Sequence, residues 1–176
     1  MNFTLFPVFH RICLNNAPQW VGEEMEELKA RKAHVEDLPN ILFLLADDEF
    51  GRNREEIHKN PHRNYVCAFE AIDADPNQFL AVFEENNEIV GCLQLTFIPN
   101  LTRFGGLRGQ IEGVRIADKV RGRGYGRQML LWAVEKCRDQ GCKLVQLTSD
   151  KMRTDALNFY KGLGFTDSHE GFKLKI

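Results

Sequence analysis

The sequence has no C-x-x-C pair, no histidine spacing of the kind zinc sites use, and no internal repeat or low-complexity stretch. Its five cysteines, Cys13, Cys67, Cys92, Cys137 and Cys142, are an odd number, so any disulfide scheme leaves one unpaired. Reduced thiols in a cytoplasmic protein are the simpler account, and no metal is expected. Apolar runs are short: none approaches the ~20 residues of a membrane span, so no membrane partner is expected. Residues 1–14 are rather apolar but lack a basic start and a small-residue cleavage signature, and they include Pro7, His10 and Arg11, so no signal peptide is expected there. Excess charge is missing too. With 23 Lys and Arg against 25 Asp and Glu, the formal net charge of −2 argues against a general nucleic-acid binder.

What is present suits one well-buried domain: 176 residues with 43% hydrophobic content are enough for one core and short for two. Residues 1–27 read as an N-terminal extension, in which Phe3, Phe6, Phe9 and Trp20 argue against full disorder, and residues 28–176 as the domain. The most informative stretch is Gln110 to Gln128. It begins with strand alternation, placing Gln110, Glu112, Val114 and Ile116 on one face and Ile111, Gly113 and Arg115 on the other. Arg121 to Arg127 then sets Gly122, Gly124 and Gly126 at every second position among Arg121, Arg123 and Arg127, with Tyr125 in the same loop. A helical stripe of Met129, Leu130, Ala133, Val134 and Cys137 follows.

Strand, glycine loop and helix in this order make an anion cradle. Glycine lets the backbone approach a ligand, the first helical N–H groups face the loop, and the arginines suit phosphate oxygens. No lysine followed by Ser or Thr closes the loop, so a magnesium-nucleotide P-loop is unsupported. The glycine spacing also differs from the Gly-x-Gly-x-x-Gly of dinucleotide folds.

Along the rest of the chain, periodicity predicts a strand at Leu28–His34, a helix opened by Asp37 as N-cap and Pro39, short helices near Asn53–Lys59 and Arg63–Ala71, and a hairpin from Phe79 to Ile98. After the long helix come a strand at Lys143–Thr148, a helix bearing Ala156, Phe159, Tyr160 and Leu163, and two short strands around Glu170 and Gly171. The fold class expected is therefore α/β (α+β), with a mixed, mainly antiparallel sheet flanked by helices.

Arg121, Gly124 and Gly126 match the Arg/Gln-x-x-Gly-x-Gly/Ala pattern, and Ala156 to Phe165 matches Ala-x-x-x-Tyr-x-x-x-Gly-Phe. With the element order, these motifs resemble the GNAT family of N-acetyltransferases from about Leu28 to the end. The resemblance implies an acetyl-CoA-dependent N-acetyltransferase acting on a small amine. It implies pantetheine pairing with the backbone of Val114, Arg115 and Ile116, pyrophosphate on Arg121 to Arg127, and Tyr160 as the acid for the departing thiolate. One position departs from the family pattern: Arg153 stands where many members carry an asparagine that contacts the pantetheine arm.

Glu112 is the candidate base, on the view that Val114 and Ile116 on its strand face tune it for work near neutrality. The alternative is a structural carboxylate paired with Arg108 or Arg115, as Tyr160 is alternatively a core aromatic. Thr148 and Ser149 are placed to line a splay between strands, and Asp47, Asp48 and Glu49 form a loop able to attract a cationic amine. A non-catalytic acyl-CoA sensor is the competing function, and homodimer formation stays open.

Overall fold

The computed structural model describes residues 28–47, 55, 58 and 60–176. Five strands form one sheet in sequence order: β1 Lys29–Lys32, β2 Gln78–Glu85, β3 Glu88–Ile98, β4 Arg108–Ile116 and β5 Leu144–Leu147. Neighbours run antiparallel from β1 to β4, and β5 joins β4 in parallel. Among the described residues the longer helices are α1 Leu38–Ala46, α2 Arg63–Ala74, α3 Tyr125–Asp139 and α4 Thr154–Gly162. The mixed, mainly antiparallel sheet with flanking helices is thus the architecture expected from the sequence. The extension, most of the helix expected near Asn53–Lys59, and Asp48 and Glu49 lie outside the described residues.

Local chemistry explains the elements. Asn86 and Asn87 both take positive φ, 51° and 64°, which supplies the mirror-image turn that suits the right-handed twist of the β2–β3 hairpin. Alternation along β3 sends Val90 and Cys92 to one face and Leu93, Leu95 and Phe97 to the other. The first face packs under Leu38, Ile41, Leu42 and Leu44 of α1 and Phe69 of α2. The second packs under Met129, Leu130, Ala133 and Cys137 of α3, all at most 1% exposed. Each buried Leu, Ile, Phe or Met among them contributes on the order of 1.5–3 kcal/mol by leaving water, and the smaller Ala133 and Cys137 less. Burial pushes the thiols of Cys92 and Cys137 up to about 12, so both stay protonated. Among the described residues no helix is long and apolar enough to cross a membrane.

Two expectations need correction. Asp37 precedes α1, yet its carboxylate does not cap that helix. It accepts the His34 N–H at 2.8 Å and a two-point contact from the Arg31 guanidinium at 2.6 and 2.9 Å, and Arg31 also reaches Glu84 at 2.7 Å. The carboxylate is spent on tying β1 to the start of α1, with β2 held through the same arginine. The second correction concerns the tail, where residues 165–176 form no strand. Ion pairs from Lys161 to Asp167 (2.8 Å) and from Lys151 to Glu170 (3.0 Å) tie it to α4 and the loop before α4, leaving Phe172, Leu174 and Ile176 exposed.

The Arg31 guanidinium holds the Asp37 carboxyl below the usual carboxylate range. A depressed folded-state pKa stabilises the fold above the ~3.9 of free aspartate, and the effect is lost as pH falls through the folded value. Asp37→Asn is therefore expected to lower unfolding free energy by about 2 kcal/mol at pH 7, with the gap to wild type narrowing from about pH 4 downward. Urea denaturation at pH 7 and pH 3 measures both, and an equal gap at the two values would assign the loss to packing.

Candidate functional site

The site begins where two strands part. β4 and β5 stay paired from Arg108 and Leu144 to Ile111 and Leu147; β5 ends there, while β4 runs on to Ile116. In the same stretch Leu93 of β3 faces two residues of β4, Gly113 and Val114, because Cys92 pairs with Arg115 and Gln94 with Glu112. Gly113 carries the bulge with φ +60°, a conformation open to glycine and costly for a residue with a side chain. A bulge bends its strand and increases its twist, so it carries β4 away from the line of β5 just past their last pair. The result is a wedge-shaped gap whose β4 side is the backbone of Glu112 to Ile116.

The bulge also overturns the strand faces inferred by simple alternation. Glu112 lies on the face of Gln94 and Gln110, toward α1 and α2, and Arg115 rejoins that face opposite Cys92. Val114 and Ile116 pack into the cluster on the other face, under α3. Glu112 therefore has no apolar escort on its own face. It is exposed, and it pairs with neither Arg108 nor Arg115.

Tyr160 approaches the gap from the opposite side. It is partly buried in the cluster that holds Val114, Ile116 and Leu147, with Phe159 and Phe165 rings at 5.5 and 6.1 Å. Burial pushes its phenol up from the ordinary value, while the charges of Arg115 and Arg153 pull it down. No described residue makes a hydrogen bond to its hydroxyl. Arg153, the departure from the family pattern, stands at the N-cap position of α4. Thr148 is exposed and Ser149 half-buried beyond the end of β5.

The glycine loop closes the gap at its far end, and its three glycines do different work. Gly122 and Gly124 take φ +80°, and Gly124 is the left-handed N-cap of α3. A Cβ on Gly126 would lie 3.0 Å from Ile116 Cδ1 and 3.3 Å from Phe159 Cζ, so this glycine lets β4, α3 and α4 converge. The arginines differ as well. Arg121 pairs with Asp118 and donates to the carbonyls of Ile116 (3.4 Å) and Asp47 (3.3 Å). Arg123 pairs with Glu85 at 2.6 Å and lies 4.9 Å from the centre of the Tyr125 ring. Tyr125 is buried and donates its hydroxyl to the same Glu85 carboxylate, which leaves backbone as what it can offer a ligand. Arg127 is exposed and makes no ion pair among the described residues.

Asp47, expected to attract an amine, instead accepts the Asp118 N–H at 3.2 Å and steadies the turn before the loop. Sequence reasoning missed Glu85, the shared partner of Arg123 and Tyr125, because that partnership forms only when the β2–β3 hairpin meets the loop. It also missed the bulge, whose one signal was an isolated glycine inside a strand pattern.

Residues 38–165 match the model of the "Acetyltransferase (GNAT) family", and the chain belongs to that family, which makes it an N-acetyltransferase. The chain is 29% identical over 150 residues to an aminoalkylphosphonate N-acetyltransferase from Salmonella typhimurium strain LT2, covering 84% of this chain and 91% of that protein. It is 36% identical over 93 residues to a glucosamine 6-phosphate N-acetyltransferase from Trypanosoma brucei brucei, covering 53% and 61%. Among solved structures, a Bacillus halodurans C-125 protein described as a transcriptional regulator superposes with a TM-score of 0.83 at 47% identity, covering 85% of this chain and all of that one.

Since Gly113 holds a left-handed conformation and an added Cβ would meet only Leu45 Cδ2, at an ordinary 3.9 Å, Gly113→Ala tests the backbone rather than packing. The expected cost is ~1–2 kcal/mol in denaturant unfolding. Unchanged stability would mean that the bulge relaxes readily.

Proposed function

We propose that the protein transfers an acetyl group from acetyl-CoA to a small amine, by direct attack of the amine on the thioester. The observation that carries this reading is the gap between β4 and β5, flanked by Glu112 on one side and Tyr160 on the other, and ending at Gly124 and the start of α3. Acetyl-CoA supplies the activated acyl group. Val114, Arg115 and Ile116 offer a strand edge on which the amides of pantetheine can pair as a further strand would. Gly122 and Gly124 leave room for a pyrophosphate, and Tyr125 and Gly126 in the first turn of α3 turn N–H groups and the positive end of the helix dipole toward it, the Arg127 N–H being already given to the Gly124 carbonyl at 3.1 Å. Arg127 is free to add charge, whereas Arg121 and Arg123 would exchange internal partners for phosphate oxygens.

The chemistry asked of the side chains is modest. Glu112, exposed and unpaired, takes the proton of the attacking amine directly or through water. A backbone N–H near Val114 stabilises the tetrahedral oxyanion. Tyr160 meets the departing sulfur as a donor: burial keeps the phenol protonated, and the charges of Arg115 and Arg153 ease release of the proton. The acceptors named for two relatives, an aminoalkylphosphonate and glucosamine 6-phosphate, each join an amine to an anionic group, which supports a small acceptor here.

Thiol release from acetyl-CoA that depends on an added amine is the direct test. Acetyl-CoA binding without release over a broad amine panel would leave a non-catalytic acyl-CoA-binding module. Tyr160→Phe is expected to keep the fold and acetyl-CoA binding and to lower turnover by on the order of 10²-fold. Wild-type turnover in that variant would assign Tyr160 to the core alone. Glu112→Gln, which keeps size and hydrogen-bonding capacity, is expected to keep the fold and acetyl-CoA binding and to lower turnover at pH 7 by on the order of 10²-fold. A stable Glu112→Gln protein with wild-type turnover would hand the base role to another group or to solvent.

A further inference from the structure

The sheet face that carries Glu112 is unusual in its polarity. Where α1 and α2 cover it, the face is apolar, but toward β5 one row across four strands reads Gln78, Thr96, Gln110, Gln146. These side chains bond to one another. Gln78 Oε1 accepts from Gln94 Nε2 at 2.9 Å and from Thr96 Oγ1 at 2.8 Å, and Gln146 Nε2 donates to Gln110 Oε1 at 2.6 Å. Gln110 is 9% exposed, so the row is a fixed polar floor rather than a set of mobile surface amides.

Arg108 stands beside this floor on the same face of β4, opposite Ile98 and Leu144. It is half-buried, its Nε is buried without a hydrogen-bond partner, and it makes no ion pair among the described residues. A positive charge partly withdrawn from water and left without a counter-charge is costly, and native structures rarely keep one unless something else satisfies it. Glu112, two positions beyond Gln110 on the same face, is unpaired too. Arg108, Gln110 and Glu112 thus form a line of cation, amide and anion. Its outer Cα atoms are ~13 Å apart by strand rise, and the gap between β4 and β5 opens at the Glu112 end.

We infer that this line is the acceptor subsite and that it takes a small zwitterionic amine: Arg108 holds an oxyanion group of the phosphonate, phosphate or carboxylate class, the Gln110–Gln146 pair lies under the middle of the molecule, and the amine sits beside Glu112 at the gap. The inference rests on the proposed N-acetyl transfer and adds to it the class of acceptor and the residue that selects it. A guanidinium can meet such an anion with two parallel hydrogen bonds, which a lysine cannot reproduce. The ~13 Å between the outer Cα atoms, less the reach of the two side chains, leaves room for a molecule with a few bonds between amine and anion.

The test compares wild type, Arg108→Gln and Arg108→Lys with acetyl-CoA and three amines: 1-aminoethylphosphonate, alanine, and ethylamine as the acceptor without an anion. Wild type should prefer one of the two zwitterions, and which one it prefers tells a phosphonate site from a carboxylate site. Arg108→Gln should raise the KM of that acceptor by about 10- to 100-fold and leave kcat/KM for ethylamine within about twofold, with Arg108→Lys in between. Equal loss with ethylamine, or an unchanged KM for the zwitterion, overturns the assignment, as does wild-type preference for ethylamine. Should the wild type acetylate none of the three, calorimetric titration of 1-aminoethylphosphonate and alanine into the CoA-loaded proteins decides the subsite separately from turnover. Binding of either that Arg108→Gln loses supports it; binding of neither, or binding equal in both proteins, overturns it.

Discussion

The parting of β4 from β5 is the constraint on which the site depends. Parallel pairing with β5 satisfies the backbone of β4 as far as Ile111, and beyond that point its outer edge faces a gap. Such an edge buried against protein would be costly, and one left open is a template for another extended chain. The bulge at Gly113 makes the parting a property of the strand itself. It bends β4 where β5 stops, and it requires a left-handed residue that glycine supplies without strain. The gap is therefore built into the resting fold, so a ligand entering it has less ordering to impose.

A second consequence is that the two candidate acid–base groups come from opposite faces of one sheet. Without the bulge, Val114 and Ile116 would fall on the face of Glu112, toward α1 and α2. With it, they turn into the core beside Tyr160 under α3, and Glu112 keeps the polar side to itself. A reaction that needs a proton removed from the attacking group and a proton offered to the leaving group gains from having them on different sides of the reacting carbon.

How much of this was legible in the sequence follows from how local each cause is. The glycine loop, the hairpin turn and the helix stripes are set by neighbours within a few residues, and among the described residues the order of the main elements is found as read, except for the tail. The tail alternates Phe172, Leu174 and Ile176 with lysines, a strand pattern in sequence that finds no ladder in the fold. Gly113 looked like one more residue in an alternation, although it reversed every face after it. The amide floor of Gln78, Gln110 and Gln146 was invisible, since it exists only in the register of four strands drawn from distant parts of the chain. Asp37 and Asp47 looked like a cap and a lure for cations, and each proved to have a backbone N–H to satisfy.

The arginines of the glycine loop show how magnitudes sort residues that the sequence presents as equals. Arg121 and Asp118 are a solvent-exposed pair, their side chains 49% and 62% accessible, and such pairs contribute ~0–1 kcal/mol. Exchanging Asp118 for a phosphate oxygen would thus cost Arg121 little. Arg123 is held by a carboxylate only 13% accessible that also accepts the buried Tyr125 hydroxyl, and its guanidinium lies against the Tyr125 ring. Withdrawing Arg123 would leave Glu85 with one donor fewer in a sheltered position, where an unmet charge costs several times more than a surface pair contributes. Arg127 has nothing to give up. Charge for a pyrophosphate is therefore cheapest from Arg127, next from Arg121, and dearest from Arg123, whose first service is to fasten the loop to the β2–β3 hairpin so that the glycines hold their shape.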